Sequence, residues 1–178
     1  MNNIEVEIRS FISKEQFDKL LDFFKKNAKL EKEDYQETFY FDCPQDLRIQ
    51  KNNSGCKVWL KEGKIHDDHR KEIEVRLDGK DFPKLEDLFK SLGYNIKVKW
   101  FRNRTQFNWY GIKACLDYTK GYGYIIELEK IISDEDDRGN IVKVLRDKLK
   151  NLGIKETSKE EFNEKFKHYV KNWETLTK

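Results

Sequence analysis

Apolar residues recur along this chain with two periods. Phe17, Leu20, Leu21 and Phe24 follow the i, i+3, i+4, i+7 spacing of one helix face. Ser13 and Gln16 stand where a capping box would open that helix. Leu85, Leu88, Phe89 and Leu92 make a second stripe, with Asp81 placed to cap it and Gly93 to end it. Ile141, Val142, Leu145, Leu149 and Leu152 make a third, closed by Gly153. Phe162, Phe166, Tyr169 and Trp173 make a fourth, with Ser158 and Glu161 as another capping box. Each stripe reads as a face packed on a core. Between the helices the period drops to two, the repeat of a half-buried strand. Ile4 to Arg9, Lys57 to Lys61, Arg70 to Leu77 and Ile126 to Glu129 alternate. Thr38 to Phe41, Leu47 to Ile49, Tyr94 to Arg104 and Phe107 to Tyr118 are strand-like. About eight strands with helices at intervals predict an α+β fold with a mostly antiparallel sheet.

The polar positions of these strands carry charge. Glu5, Glu7 and Arg9 share one face of their strand, as do Lys57 and Lys61, and Arg70, Glu72, Glu74 and Arg76. Arg48, Arg102, Arg104, Asp117, Glu127 and Glu129 complete the set. A solvated face with cross-strand ion pairs is one reading. The other starts from the four amphipathic helices, which need an apolar surface to cover. If they cover the apolar face from outside, the charged face lines the inside of a curled or closed sheet. A barrel of about eight strands has room for side chains and one small ligand. Arg and Lys in such a lumen suit a polyphosphate. Carboxylates repel a bare polyanion and need a bridging cation, as Mg²⁺ provides. Together they point to metal-assisted phosphoryl or nucleotidyl chemistry.

Composition narrows this further. Lys plus Arg is 36 and Asp plus Glu is 33, so the net charge is only +3. That balance lacks the basic excess of a dedicated nucleic-acid binder. The basic run Lys97, Lys99, Arg102 and Arg104 divides between two strand faces, so nucleic acid is not expected as a partner. Twelve Phe, eight Tyr and four Trp exclude disorder of the whole chain. No apolar run reaches the length of a membrane span, and acids interrupt the N-terminus where a signal peptide is apolar. A cytoplasmic location is expected. Cys43, Cys56 and Cys115 are widely spaced and odd in number, which suits reduced thiols rather than disulfides or zinc. His66-Asp67-Asp68-His69 reads as a solvated loop. Asp134 to Asp137 suits a helix N-terminus. With two prolines and no linker-like stretch, residues 1–178 read as a single domain.

The order of the motifs resembles one family. Glu5-Val6-Glu7-Ile8-Arg9 is similar to the ExExK signature of the CYTH superfamily, the triphosphate tunnel metalloenzymes. Thr38-Phe39-Tyr40-Phe41-Asp42, Leu47-Arg48-Ile49-Gln50 and Trp59-Leu60-Lys61-Glu62-Gly63 resemble its next strands. Arg70-Lys71-Glu72-Ile73-Glu74 and Arg102-Asn103-Arg104 follow in the family's order. Asp117, Gly121-Tyr122-Gly123 and Glu127-Leu128-Glu129 resemble its closing element. The resemblance implies an eight-stranded antiparallel β-barrel, a triphosphate tunnel with a charged lumen and helices packed outside. By motif position it implies Mg²⁺ or Mn²⁺ held by Glu5, Glu7, Asp117, Glu127 and Glu129. It implies Arg9, Arg48, Lys61 and Arg104 gripping the substrate, joined by Lys57, Arg76 and Arg102, with Glu72 and Glu74 orienting the bases. The chemistry is assigned to Glu127, Glu129, Asp117 and Arg9. Two positions depart from the pattern: Arg9 replaces a lysine, and Gln50 replaces a second arginine.

The activity expected is metal-dependent hydrolysis of inorganic triphosphate, thiamine triphosphate or a nucleoside triphosphate, in a monomer or homodimer. The alternative is a class IV adenylyl cyclase making cyclic AMP from ATP. The His-Phe-x-Gly lead associated with that subgroup does not precede Glu5. A third reading is a non-catalytic polyphosphate-binding module.

Overall fold

The computed structural model describes residues 4–61, 72–133 and 137–178. The chain runs β1 (Ile4–Ile12), α1 (Lys14–Asn27), β2 (Lys29–Phe41), β3 (Asp46–Asn52), β4 (Gly55–Lys61) and β5 (Glu72–Leu77). It continues with α2 (Phe82–Ser91), β6 (Ile96–Trp109), β7 (Ile112–Thr119), β8 (Gly123–Ile132), α3 (Arg138–Asn151) and α4 (Lys159–Leu176). The strands form one eight-stranded antiparallel sheet in the order β1-β8-β7-β6-β2-β3-β4-β5. The expected α+β class and strand number are therefore observed, with α1, α2 and α3 covering the apolar face. The ladder ends at β1 and β5. No helix among the described residues is long and apolar enough to cross a membrane. His66 to His69 lie outside the described residues.

Two compact units divide the chain: Met1–Glu33 with Asn103–His168, and Asp34–Arg102 with Tyr169–Lys178. In the first, the apolar face of the sheet is Val6, Ile8 and Ile12 of β1, Ile126 and Leu128 of β8, Ala114 and Leu116 of β7, and Phe107 and Trp109 of β6. Leu20 and Phe24 of α1 and Leu145 and Leu149 of α3 cover it. The α1 capping box forms as the sequence predicts: the Gln16 amide N–H donates to Ser13 Oγ, and the Ser13 amide to Gln16 Oε1 at 2.8 Å. Phe24 is fully buried between Phe107 and Trp109, with ring centroids 5.5 and 5.4 Å away. In the second unit, Phe39, Phe41, Leu47, Ile49 and Cys56 form the apolar face, and Phe82 and Leu85 of α2 cover it.

Several boundaries differ from the periodic reading. Tyr94 to Arg104 and Phe107 to Tyr118 are not the two strands. β6 runs on through Trp109, and the turn is Tyr110-Gly111, both at positive φ (53° and 77°). β2 begins at Lys29 rather than near Thr38. Its first half is nearly all polar, so no apolar alternation betrays it. Gly93 and Gly153 adopt positive φ (88° and 73°) as helix terminators should. Asp81 is the N-cap of α2 but makes no capping hydrogen bond. Its carboxylate instead accepts from Lys84 Nζ at 2.8 Å, because a flexible cation one turn away competes for the same oxygens.

Candidate active site

Register sets the charged face of the first unit. Glu7 lies opposite Glu129 and Arg9 opposite Glu127 in the β1–β8 ladder. Lys113 lies opposite Glu129 and Cys115 opposite Glu127 in the β7–β8 ladder. Directly opposed residues share a face, and period two adds Glu5 and Asp117 to it. The same alternation that sends Val6, Ile8, Ala114 and Leu128 to the helices gathers these charges on the other side.

Arg104 of β6 is the hub. Its Nε and Nη2 donate to the two carboxylate oxygens of Asp117 at 2.8 and 2.7 Å, a bidentate pair. Nη2 also reaches Glu127 at 3.1 Å. Burial alone would lower the pKa of this guanidinium, but Glu127 and Asp117 outweigh it and raise the pKa well above its ordinary value. Lys113 donates to the Glu129 carboxylate and stands 3.9 Å from Glu5. Even so, negative charge exceeds positive charge locally. Burial, then a hydrogen bond with Glu5, pushes the Glu129 carboxyl up to about 8, with Lys113 opposing. Glu7 remains in contact with solvent, yet the protein crowded around its carboxyl and the charge of Glu127 push it up to about 7. Burial pushes the neighbouring Cys115 thiol up to about 12, so it is an inert thiol.

Arg9 is the exception on this face. Its guanidinium makes no hydrogen bond or ion pair among the described residues. It lies over the ring of Phe162 in α4, 4.7 Å from the centroid.

The donor chemistry fits a hard divalent cation. Glu5, Glu7, Glu127 and Glu129 offer only oxygen ligands, and their mutual repulsion is what a cation would relieve. Among the described residues, no three His, Cys, Asp or Glu side chains already converge as a metal site. Asp117 spends both oxygens on Arg104, and Glu129 accepts from Lys113. A metal held here would have to share these carboxylates with the internal cations.

The charged face of the second unit is built by the same alternation. Arg48 lies opposite Tyr40 and Trp59, Lys57 opposite Arg76, and Trp59 opposite Glu74. Arg48 donates through Nε and Nη2 to Asp46, both at 2.6 Å. It also lies over Tyr40 at 4.3 Å and Trp59 at 5.7 Å. Glu74 accepts from Lys57 Nζ and Arg76 Nε, both at 2.6 Å, and the bond from Lys57 draws its pKa below the usual carboxylate value. Arg76 is otherwise largely exposed. Arg102 donates to Gln36 Oε1 at 2.9 Å, and Gln36 donates to buried Asp34. Gln50 is buried and donates to Thr38 Oγ1 at 2.9 Å, so its amide is a structural bridge to β2. Lys61 sits in β4 opposite Glu72.

Sequence reading missed three contributors. Lys113 was legible, since it shares the period of Asp117 on one strand. Gln36 lies in the polar half of β2, which no periodicity marks. Phe162 belongs to a helical stripe that reads as core.

Comparison with known proteins defines the class. The CYTH domain family matches residues 3–161, and the chain belongs to it. The "Putative adenylate cyclase MJ0240" of Methanocaldococcus jannaschii is 31% identical over 162 residues, covering 85% of this chain and 90% of that one. A conserved hypothetical protein of Pyrococcus furiosus has a solved structure that superposes with a TM-score of 0.68. It is 27% identical, covering 85% of this chain and 91% of its own. The "Putative adenylyl cyclase HpAC1" of Hippeastrum, described as having a dominant triphosphatase activity, superposes with a TM-score of 0.63. It is 20% identical, covering 90% of this chain and 94% of its own.

Proposed function

We propose that this protein is a divalent-metal-dependent hydrolase of triphosphate compounds: inorganic triphosphate, thiamine triphosphate or a nucleoside triphosphate. The observation that carries the reading is the first unit's charged face. There, crowded carboxylates stand beside a guanidinium whose donors make no hydrogen bond or ion pair among the described residues. Arg9 is poised for phosphate oxygens, and the carboxylates are poised for a cation. HpAC1, a protein of this fold, is described as having a dominant triphosphatase activity, which supports the reading.

In this reading Arg9 and Arg104 of the first unit bind phosphate oxygens, while Arg48, Lys57, Lys61, Arg76 and Arg102 are the cations of the second unit. Glu74 holds Lys57 and Arg76 in place. Mg²⁺ or Mn²⁺ on Glu5, Glu7, Glu127 and Glu129 supplies neutralisation of the phosphate charge when bound. Asp117 keeps Arg104 fixed. Glu127 or Glu129 accepts a proton from the attacking water, whose oxygen bonds to the terminal phosphorus. The bond from that phosphorus to the bridging oxygen breaks, and orthophosphate leaves.

The adenylyl cyclase reading is kept because of the name of the 31% identical relative. It differs in the nucleophile, a ribose 3′-hydroxyl, and in the atom attacked, the α-phosphorus, whose bond to the β-phosphate's bridging oxygen breaks so that pyrophosphate leaves. One assay separates the two. The protein is incubated with tripolyphosphate, thiamine triphosphate or ATP and Mg²⁺ or Mn²⁺, and orthophosphate and cyclic AMP are measured together. Orthophosphate without cyclic AMP is expected. Cyclic AMP with pyrophosphate would replace the hydrolase by the cyclase.

A further inference from the structure

β1 is an edge of the sheet, and the segment after α3 is fastened to it. Ser10 Oγ donates to the Lys155 carbonyl at 2.6 Å, and the Phe11 amide donates to Thr157 Oγ1 at 3.0 Å. Ser10 is fully buried. The second of these bonds satisfies a backbone amide that an edge strand would otherwise leave open. Together they fix where α4 begins. Ser158 then caps the helix, accepting from the Glu161 amide at 3.1 Å, and Phe162 follows one turn in.

Phe162 is 6% exposed, but it does not pack on the apolar face of the sheet. Its ring meets Phe11 and Arg9, which share a face of β1 with Glu5 and Glu7. The rings of Phe162 and Phe11 stack with centroids 4.5 Å apart and planes 29° from parallel. Arg9 lies over Phe162 at 4.7 Å, and Lys165, one turn further along α4, lies over Phe11 at 3.9 Å. Two cations therefore hold two stacked rings. A guanidinium over a ring can turn its flat face to it and keep its N–H edge available. A lysine ammonium at position 9 has no such flat face and no fork to aim.

We propose that Phe162 is a positioning residue for substrate binding: from α4 it holds the Arg9 guanidinium by its face, so that the fork is pre-set for phosphate oxygens. This rests on the reading of Arg9 as a phosphate ligand. It also accounts for arginine at the position where the family signature has lysine. The helix supplies the aromatic shelf, and arginine is the cation that uses it. Pre-organisation lowers the entropy lost on binding, so removal of the shelf weakens binding more than it slows the chemical step.

The test is a double-mutant cycle on Arg9→Gln and Phe162→Leu, with Phe162→Tyr as the ring-preserving control. Affinity for the imido analogue of tripolyphosphate with Mg²⁺ is read by calorimetry, so the result does not depend on turnover. KM and kcat for tripolyphosphate are read alongside, and melting curves confirm folding. Phe162→Leu is expected to weaken analogue binding about fivefold to tenfold in the parent, to raise KM more than it lowers kcat, and to have no effect on binding once Arg9 is Gln. Phe162→Tyr is expected to bind as the parent does. Equal losses in both backgrounds, or no loss in the parent, would overturn the proposal. Analogue binding without hydrolysis of tripolyphosphate would overturn only the hydrolase reading. Absence of analogue binding by the parent would overturn both.

Discussion

Single residues on the charged face act by competing for one another. Arg104 takes both oxygens of Asp117, and Lys113 takes Glu129. What remains is an excess of carboxylate, visible as the raised pKa values of Glu7 (about 7) and Glu129 (about 8). Both are raised from 4.5, so the folded protein binds more protons than the unfolded chain between that value and about 8. The stability these two groups contribute is fully present below pH 4.5 and is lost as pH rises through 7 and 8. Metal-free protein should therefore melt at a lower temperature near pH 8 than near pH 6. A melting temperature that rises over that interval would show that the two carboxyls ionise normally. Replacing Glu127 and Glu129 together by Gln keeps the shape and removes the charge. Orthophosphate release should fall by roughly 10²- to 10⁴-fold, while the melting curve keeps one cooperative transition. Release at the parent rate would remove both residues from the chemistry.

At the scale of elements, each strand does two jobs through one alternation. One face packs on helices, and the other carries the chemistry. Phe24 is the clearest case of the first job, since α1 buries it fully against Phe107 and Trp109. Phe24→Ala should cost about 3–5 kcal/mol, read as a lower denaturant midpoint with an unchanged slope. A cost below about 1 kcal/mol would mean that α1 is not part of the cooperative core. Sequence made this level largely legible. The α1 capping box, the glycine stops at Gly93 and Gly153, and the period-two face of β1 all follow local rules, and all formed. The failures are local too. The first half of β2 has polar side chains on both faces, and its strand conformation comes from pairing with neighbours. β6 runs through Thr105-Gln106 because the sheet continues there, and the turn falls at Tyr110-Gly111, where positive φ is adopted.

For the whole molecule, the test of the carboxylate cluster is linkage between metal and fold. A cation that binds the folded chain stabilises it in proportion to the logarithm of its concentration over the dissociation constant. It must displace the protons that Glu7 and Glu129 retain near neutrality. Millimolar Mg²⁺ or Mn²⁺ should therefore raise the melting temperature, more at pH 8 than at pH 6. Glu7→Gln with Glu129→Gln should shrink the rise. A rise that is equal at both pH values, or unchanged in the double variant, would place the metal elsewhere.

The sequence by itself determined the class of the fold, the face on which each strand carries charge, and the family. These depend on period and on the order of short motifs, which are properties of neighbouring residues. Tertiary structure alone decided how the charges are spent. It assigned Asp117 to Arg104, Glu74 to Lys57 and Arg76, and Gln50 to Thr38. It gave Arg9 no hydrogen-bonded carboxylate among the described residues and set it on Phe162, 153 positions along the chain (162 − 9). Pairing between charges depends on distances across strands and helices. No local pattern holds those distances, because an acid or a base looks the same in sequence whichever partner the fold brings to it.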